Sequence, residues 1–210
     1  MIKVLIVDDH AVLRTGLTEI LKREFVSVTC GEAGDAEEAR AQVERYQWHL
    51  VILDLSLPGR SGIDFLTDLK RTKPRLPVLV LSTHPEDQYA RRVLKAGAAG
   101  YLCKSAAPEE LIRALRKVLA GGMYVSTDLA EKWALELHHD SSQALHDALS
   151  NREFEVLRMI ASGMTTSQIA DELHLSVTTI STFRTRVLEK MNMTTTAALI
   201  SYAVRNHLVE

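Results

Sequence analysis

Over its first 120 residues the chain alternates short apolar runs with helix-spaced segments, five times in succession. The runs are Lys3 to Val7, Val26 to Cys30, Leu50 to Leu53, Val78 to Leu81 and Gly100 to Cys103. Each is mostly apolar and too short for a buried helix. Between and after them, Val12 to Glu24, Asp35 to Arg45, Gly62 to Arg71, Asp87 to Ala96 and Pro108 to Ala120 carry helical periodicity. Asp35 is placed to cap the second helix, Pro108 opens the fifth, and Gly97 and Gly121 stop the fourth and fifth. Five βα units of this size predict an α/β doubly wound domain, a five-stranded parallel sheet with helices on both faces.

From Leu149 every segment reads helical. Ser150 and Glu153 have capping-box spacing, and Phe154, Leu157, Ile160 and Ala161 repeat on one face until Gly163. Thr166 to Leu173 is a short second helix, Ser176 caps a third from Val177 to Met191, and a fourth starts at Thr194 or Thr195 and runs to about Asn206. The expected organisation is a (βα)5 domain over residues 1–120, a linker over 121–146, and an all-α four-helix domain of helix-turn-helix type over 147–210. Within the linker, Asp128 to Leu137 has the pattern of a short helix, while His138, His139 and the residues after them are polar and turn-prone. The adjacent histidines are read as linker polarity rather than as a metal site.

Function classes narrow quickly. No apolar run approaches the roughly 20 residues needed to span a membrane. The first apolar run is short, ends in Asp8 and Asp9, and lacks a cleavage signal, so the cytoplasm is the expected compartment. Cys30 and Cys103 have no metal-like spacing and are expected to line the core. The net charge of −2 divides into +2 over residues 1–125, −3 over 126–144 and −1 over 145–210. No block is basic as a whole, so nucleic-acid binding must rest on local charge placement.

Asp8 and Asp9 end the first run, and Asp54 ends the third, just before Leu55-Ser56-Leu57-Pro58-Gly59. If the strand order is 2-1-3-4-5, these carboxylates converge at the crossover, above the C-terminal edge where open α/β sheets place ligands. Three carboxylates there repel one another unless a cation or proton compensates. Oxygen ligands with room for water suit Mg2+. Ser82 ends the fourth run and Lys104 follows the fifth, adding a hydroxyl and an ammonium at the same edge. The set suits phosphoryl transfer to a carboxylate, with a nucleophile, a metal clamp and donors for phosphoryl oxygens.

In the second domain the third helix is the one expected to enter a major groove. Ile180, Val187 and Met191 face inward, leaving Thr178, Ser181, Thr182, Arg184, Thr185, Arg186 and Lys190 for double-stranded DNA. Arginine and lysine attract phosphates, and serine and threonine can meet phosphates, base edges or thymine methyls.

The acidic pair, the aspartate before Leu55-Ser56-Leu57-Pro58-Gly59, Ser82, and Gly100-Tyr101-Leu102-Cys103-Lys104 together resemble the receiver domain of two-component response regulators. Leu149 to Leu157, Gly163, Ile169-Ala170, Leu173, Leu175-Ser176, Thr179-Ile180 and Glu189-Lys190-Met191 resemble the LuxR-type output domain. The whole chain therefore resembles the NarL/FixJ family of transcriptional regulators. The resemblance implies Asp54 as phosphoacceptor, with a sensor histidine kinase as donor. Asp8, Asp9 and the backbone carbonyl of Ser56 would join Asp54 in holding Mg2+. Ser82 and Lys104 would bind the phosphoryl group, and Tyr101 would switch inward behind it. Ser56 and His84 occupy positions that tune the lifetime of the acyl phosphate, and Thr83 is bulkier than the usual residue there, so an altered lifetime is expected. The fourth helix, with Leu199 and Tyr202, would hold a DNA-bound homodimer. Two departures matter: Ser181 stands where the family often has Lys, and Phe183 where it has His, so no known operator carries over.

Two rivals remain at this stage. One is a Mg2+-dependent phosphatase acting through an aspartyl phosphate, which needs a general acid where this chain has Ser56. The other is a regulator whose receiver only dimerises, without phosphorylation.

Overall fold

The computed structural model describes residues 1–59, 61–136 and 144–209, and the chain divides into two compact units, Met1–Leu135 and Glu136–Glu210. His138 and His139, in the expected linker, lie outside the described residues.

In the first unit, β1 (Ile2–Val7), β2 (Val28–Ala33), β3 (Leu50–Leu53), β4 (Val78–Ser82) and β5 (Gly100–Cys103) form one parallel sheet in the order β2-β1-β3-β4-β5. The central strands are continuous apolar runs because both faces are covered. Side chains alternate across the sheet: Val4, Ile6, Ile52, Leu79 and Leu81 pack with Leu17 and Leu21 of α1 (Ala11–Glu24) and Leu111, Leu115 and Val118 of α5 (Pro108–Leu119). Leu5, Val7, Val51, Leu53 and Val80 point the other way and are equally buried. That face is covered by α2 (Ala36–Arg45), α3 (Gly62–Thr72) and α4 (Glu86–Lys95), whose Val43, Phe65, Leu66 and Val93 are buried. The Asp35 carboxylate caps α2 by accepting from the N–H groups of Glu37 and Glu38, both at 2.8 Å.

The second strand departs from the sequence expectation. Val26 is fully exposed, and β2 starts at Val28 and continues through Gly31 and Glu32 to Ala33. Its extent follows from pairing with β1, Ile2 opposite Val28 through Val7 opposite Ala33. Apolar content, the only signal in the sequence, stops three residues early. Gly31 is required by a neighbour: a Cβ there would lie 2.2 Å from the Trp48 ring.

After α5 the chain turns back onto β5. The Tyr124 N–H donates to the Ala99 carbonyl (2.9 Å), and the Tyr101 N–H donates to the Tyr124 carbonyl (3.0 Å), so a short parallel bridge covers the outer side of β5. The Tyr124 hydroxyl donates to Glu110 of α5, the Ser126 N–H to Glu86 at the start of α4, and Lys132 pairs with Asp87. Between them α6 (Thr127–Glu136) buries Leu129 and sets Trp133 under the Arg91 guanidinium, 5.7 Å from the ring centre.

In the second unit a 3-10 turn (Leu145–Ala148) precedes α7 (Asn151–Ala161), α8 (Thr166–Glu172), α9 (Val177–Lys190) and α10 (Thr196–Arg205). The capping box of Ser150 and Glu153 forms, and a second joins Thr165 to Gln168. Ser176 caps α9 and Thr195 caps α10. Phe154, Val156, Leu157, Ile169, Ile180, Val187 and Leu199 make the core. The turn between α8 and α9 is made by His174 at φ 52°, a left-handed conformation at a position that carries a side chain. Among the described residues, no helix is long and apolar enough to cross a membrane.

Candidate functional site

Strand register brings the acids together. Val7 lies opposite Leu53, the Asp54 N–H donates to the Val7 carbonyl (2.8 Å), and the Asp8 N–H donates to the Ala33 carbonyl (3.1 Å). The side chains of Asp8 and Asp54 therefore emerge side by side at the C-terminal edge of the sheet, both almost fully buried. Gly62, at the first turn of α3, lets that helix approach: a Cβ would lie 2.4 Å from the Asp54 carbonyl oxygen. On the other side, the Lys104 N–H donates to the Ser82 carbonyl (2.7 Å), which sets its side chain across the same edge.

The Lys104 ammonium spans the two buried acids, 2.6 Å from Asp8 Oδ2 and 2.7 Å from Asp54 Oδ2. Burial works against its charge, but bonds to Asp54 and Asp8 outweigh it and hold the ammonium above its ordinary range. Asp54 is balanced the other way. Burial raises its carboxyl, Lys104 draws it down, Asp8 raises it again, the Ser56 backbone lowers it, and the result lies above the usual carboxylate value. Asp54 Oδ1 is buried and has no hydrogen-bond partner among the described residues.

Carboxylate oxygens of Asp8, Asp9 and Asp54 and a ring nitrogen of His10 lie within 4.8 Å of one another. Three acids facing one ammonium leave negative charge uncompensated, and the unpartnered Asp54 oxygen adds an open ligand. These donors fit a hard divalent cation such as Mg2+. His10 is a residue that the sequence reading did not place here. Its N–H donates to Asp8 Oδ1 (2.8 Å), and its Nδ1 stands 2.6 Å from Asp9 Oδ1. Its signal was adjacency to the acidic pair, obscured because the residue also opens α1.

The remaining residues expected at this edge meet at the rim. Ser82 is fully buried, and Tyr101 behind it is fully buried as well, its hydroxyl donating to the His84 carbonyl (2.8 Å). Tyr101 thus already occupies an inward position, and burial raises its hydroxyl far above the ordinary tyrosine value. The His84 ring stacks on Tyr89, 4.4 Å between centres and 11° from parallel, and reaches the Ser56 hydroxyl at 3.5 Å. Ser56 and His84 therefore face each other, with Thr83 exposed beside Ser82.

On α9, Thr178, Thr182, Arg184, Thr185 and Arg186 are exposed and Ser181 is half-buried. Lys190 differs from the rest of the set expected to meet DNA: its ammonium is bonded to Glu153 Oε2 at 2.6 Å. Burial pushes the Glu153 carboxyl up, but Lys190 and Ser150 outweigh it and hold it below the usual range. The sequence placed Glu153 in the capping box and Lys190 on the outer face; packing of α7 against α9 gives them to each other. On α10 Leu199 is buried and Tyr202 is half-buried, its hydroxyl 2.9 Å from His146 Nδ1.

Comparison with known proteins covers both units. Residues 4–116 match the response regulator receiver domain, and residues 147–203 match the bacterial regulatory proteins of the luxR family. The chain is 36% identical to the response regulator GacA of Pseudomonas aeruginosa, over 100% of this chain and 99% of the relative. It is 33% identical to the response regulator UvrY of Escherichia coli, over 99% and 96% respectively. Among solved structures, RcsB from Salmonella enterica serovar Typhimurium, bound to promoter rprA with the phosphomimetic BeF3−, aligns with a TM-score of 0.67 at 29% identity, covering 96% of this chain and 97% of that one.

Proposed function

Because the chain belongs to the two-component response regulators that join a receiver to a LuxR-type DNA-binding domain, we propose that phosphorylation of Asp54 by a sensor histidine kinase controls its binding to promoter DNA. The observation that carries this reading is the Asp54 carboxylate itself. It is buried at a strand end, with one oxygen on Lys104 and the other without a partner among the described residues.

An Asp54 oxygen attacks the phosphorus of the donor's phosphohistidine. The new O–P bond forms as the P–N bond breaks, and the imidazole leaves with the bonding pair and takes up a proton. Asp8, Asp9, Asp54 and the Ser56 carbonyl are the residues that would hold Mg2+, with His10 beside them. When bound, Mg2+ offsets the crowded carboxylates and draws charge from the phosphoryl oxygens. Lys104 exchanges its carboxylate partner for a phosphoryl oxygen, and Ser82 donates to another. Ser56, Thr83 and His84 govern access of water and so set the lifetime of the acyl phosphate. The Tyr101 hydroxyl, bonded to the His84 carbonyl, senses the loop that follows Ser82. The expected output is a change in pairing between two copies, with Leu199 and Tyr202 in the DNA-bound dimer contact. This organisation assigns residues 1–120 to the receiver, 121–146 to the linker and 147–210 to DNA binding.

Asp54→Ala tests the scheme. With acetyl phosphate and Mg2+, the wild type acquires an acid-stable, base-labile label and binds promoter DNA more tightly. The variant acquires no label at this site and shows no donor-dependent gain. A variant that keeps the full gain refutes the mechanism.

A further inference from the structure

The outward face of α9 is built from threonines. Helix-turn-helix proteins present the first turns of this helix to base edges, and here those turns expose Val177, Thr178, Thr182 and Thr185. Ile180 and Val187 are buried on the opposite side. Arg184 and Arg186, exposed and in no ion pair among the described residues, lie on either side of the threonine row. They are placed to reach the phosphate backbones flanking a groove rather than its floor. The central face therefore lacks the arginine, asparagine or glutamine that reads a purine with two bonds. Glu189 is exposed farther along, in the last turn of the helix.

The hydroxyls are already committed. Thr182 donates to the Thr178 carbonyl (3.0 Å) and Thr185 to the Ser181 carbonyl (3.1 Å). A carbonyl can only accept, so each hydroxyl proton is used within the helix. What remains for DNA at these two positions is a methyl group and an oxygen that can only accept. In the major groove the amino donors belong to adenine and cytosine, and the exposed methyl belongs to thymine. The A·T pair alone offers both together.

On this basis, and resting on the DNA-binding reading above, we infer that Thr182 and Thr185 make α9 a reader of A·T pairs, with threonine methyls against thymine methyls and threonine oxygens accepting from adenine amino groups. Discrimination comes from contact and acceptor geometry, while affinity comes from the flanking arginines.

The test uses the full chain with acetyl phosphate and Mg2+ to select bound duplexes from a random-sequence pool. The enriched duplex is then remade with deoxyuridine in place of single thymidines, and with purine deoxyriboside in place of single deoxyadenosines. Each contacted thymine methyl is expected to contribute about fourfold in affinity, the equivalent of one buried methylene. Thr182→Ser and Thr185→Ser keep the hydroxyl and should each erase the deoxyuridine penalty at one position. Thr182→Val keeps a methyl and should erase the purine deoxyriboside penalty instead. Equal binding of thymidine and deoxyuridine duplexes overturns the inference while leaving DNA binding intact, as does a penalty unchanged in both serine variants. Failure to enrich or bind any duplex overturns the DNA-binding reading and this one with it.

Discussion

The acidic site of the receiver and the outer face of α9 in the output domain are assembled in opposite ways. Residues of the first come from several strand ends far apart in sequence, yet Asp8, Asp54, Ser82 and Lys104 meet within one small space. Those of the second sit on one continuous helix, yet Lys190 is drawn to a partner 37 positions away. Sheet topology fixes where a strand ends and which strands are neighbours, so a residue at such an end has little freedom of destination. A helix face fixes only direction, and a long side chain on it goes to whichever charge the next helix presents.

Three measurements press on that contrast. The largest effect is expected from comparing the cations of α9. Arg186→Ala should lower the salt dependence of DNA binding by about 0.9 in the log–log slope, the value of one released counterion, with little change in folding. Lys190→Ala should leave that slope nearly unchanged and instead destabilise the output domain by about 1 kcal/mol, a modest figure because the lysine side chain is partly exposed. Equal slope losses in both variants would place Lys190 on DNA after all.

A smaller effect concerns pH. The Glu153 carboxyl is held below its ordinary value of 4.5, so its stabilising contribution is complete above that value and disappears as pH falls through the lower folded-state value. Glu153→Gln should flatten the acid limb of output-domain melting followed by circular dichroism, and an unchanged limb would contradict the assignment. Both tryptophans, Trp48 and Trp133, belong to the first unit, so their fluorescence separates receiver melting from that of the helical domain.

The smallest effect has the opposite sign. Asp54 lies above the ordinary carboxylate value, so the folded receiver loses stability as pH rises from the unfolded value through the folded one and carries that cost at neutral pH. Asp54→Asn should therefore raise receiver melting by a few degrees without Mg2+, and Mg2+ should then stabilise it less than it stabilises the wild type. A lower melting point in the variant would show that the bond to Lys104 outweighs the crowding.

The contrast also explains what was legible in the sequence. The five strands, the helices on both faces and the four helices of the output domain follow from short-range signals: apolar period, caps and breakers. The acids at the strand ends were visible because each directly follows an apolar run, and their meeting depended on the order β2-β1-β3-β4-β5 that the sheet adopts. Less visible was anything decided by a distant partner. The span of β2 is imposed by β1, and Gly31 is explained by Trp48. His10 was hidden because a residue that opens a helix gives no separate sign that its ring turns toward the acids. Tyr124 reads as the start of a polar linker, yet its backbone joins the sheet because β5 has free groups on its outer side.

That last pairing matters to anyone who shortens the protein. A receiver ended after Leu119 would leave the Tyr101 N–H and the Ala99 carbonyl open along the rim of the sheet, where a strand from another molecule can add. It would also lose the bond from Tyr124 to Glu110. A fragment carried through Trp133 keeps its own rim closed and should stay monodisperse at concentrations where the shorter one aggregates.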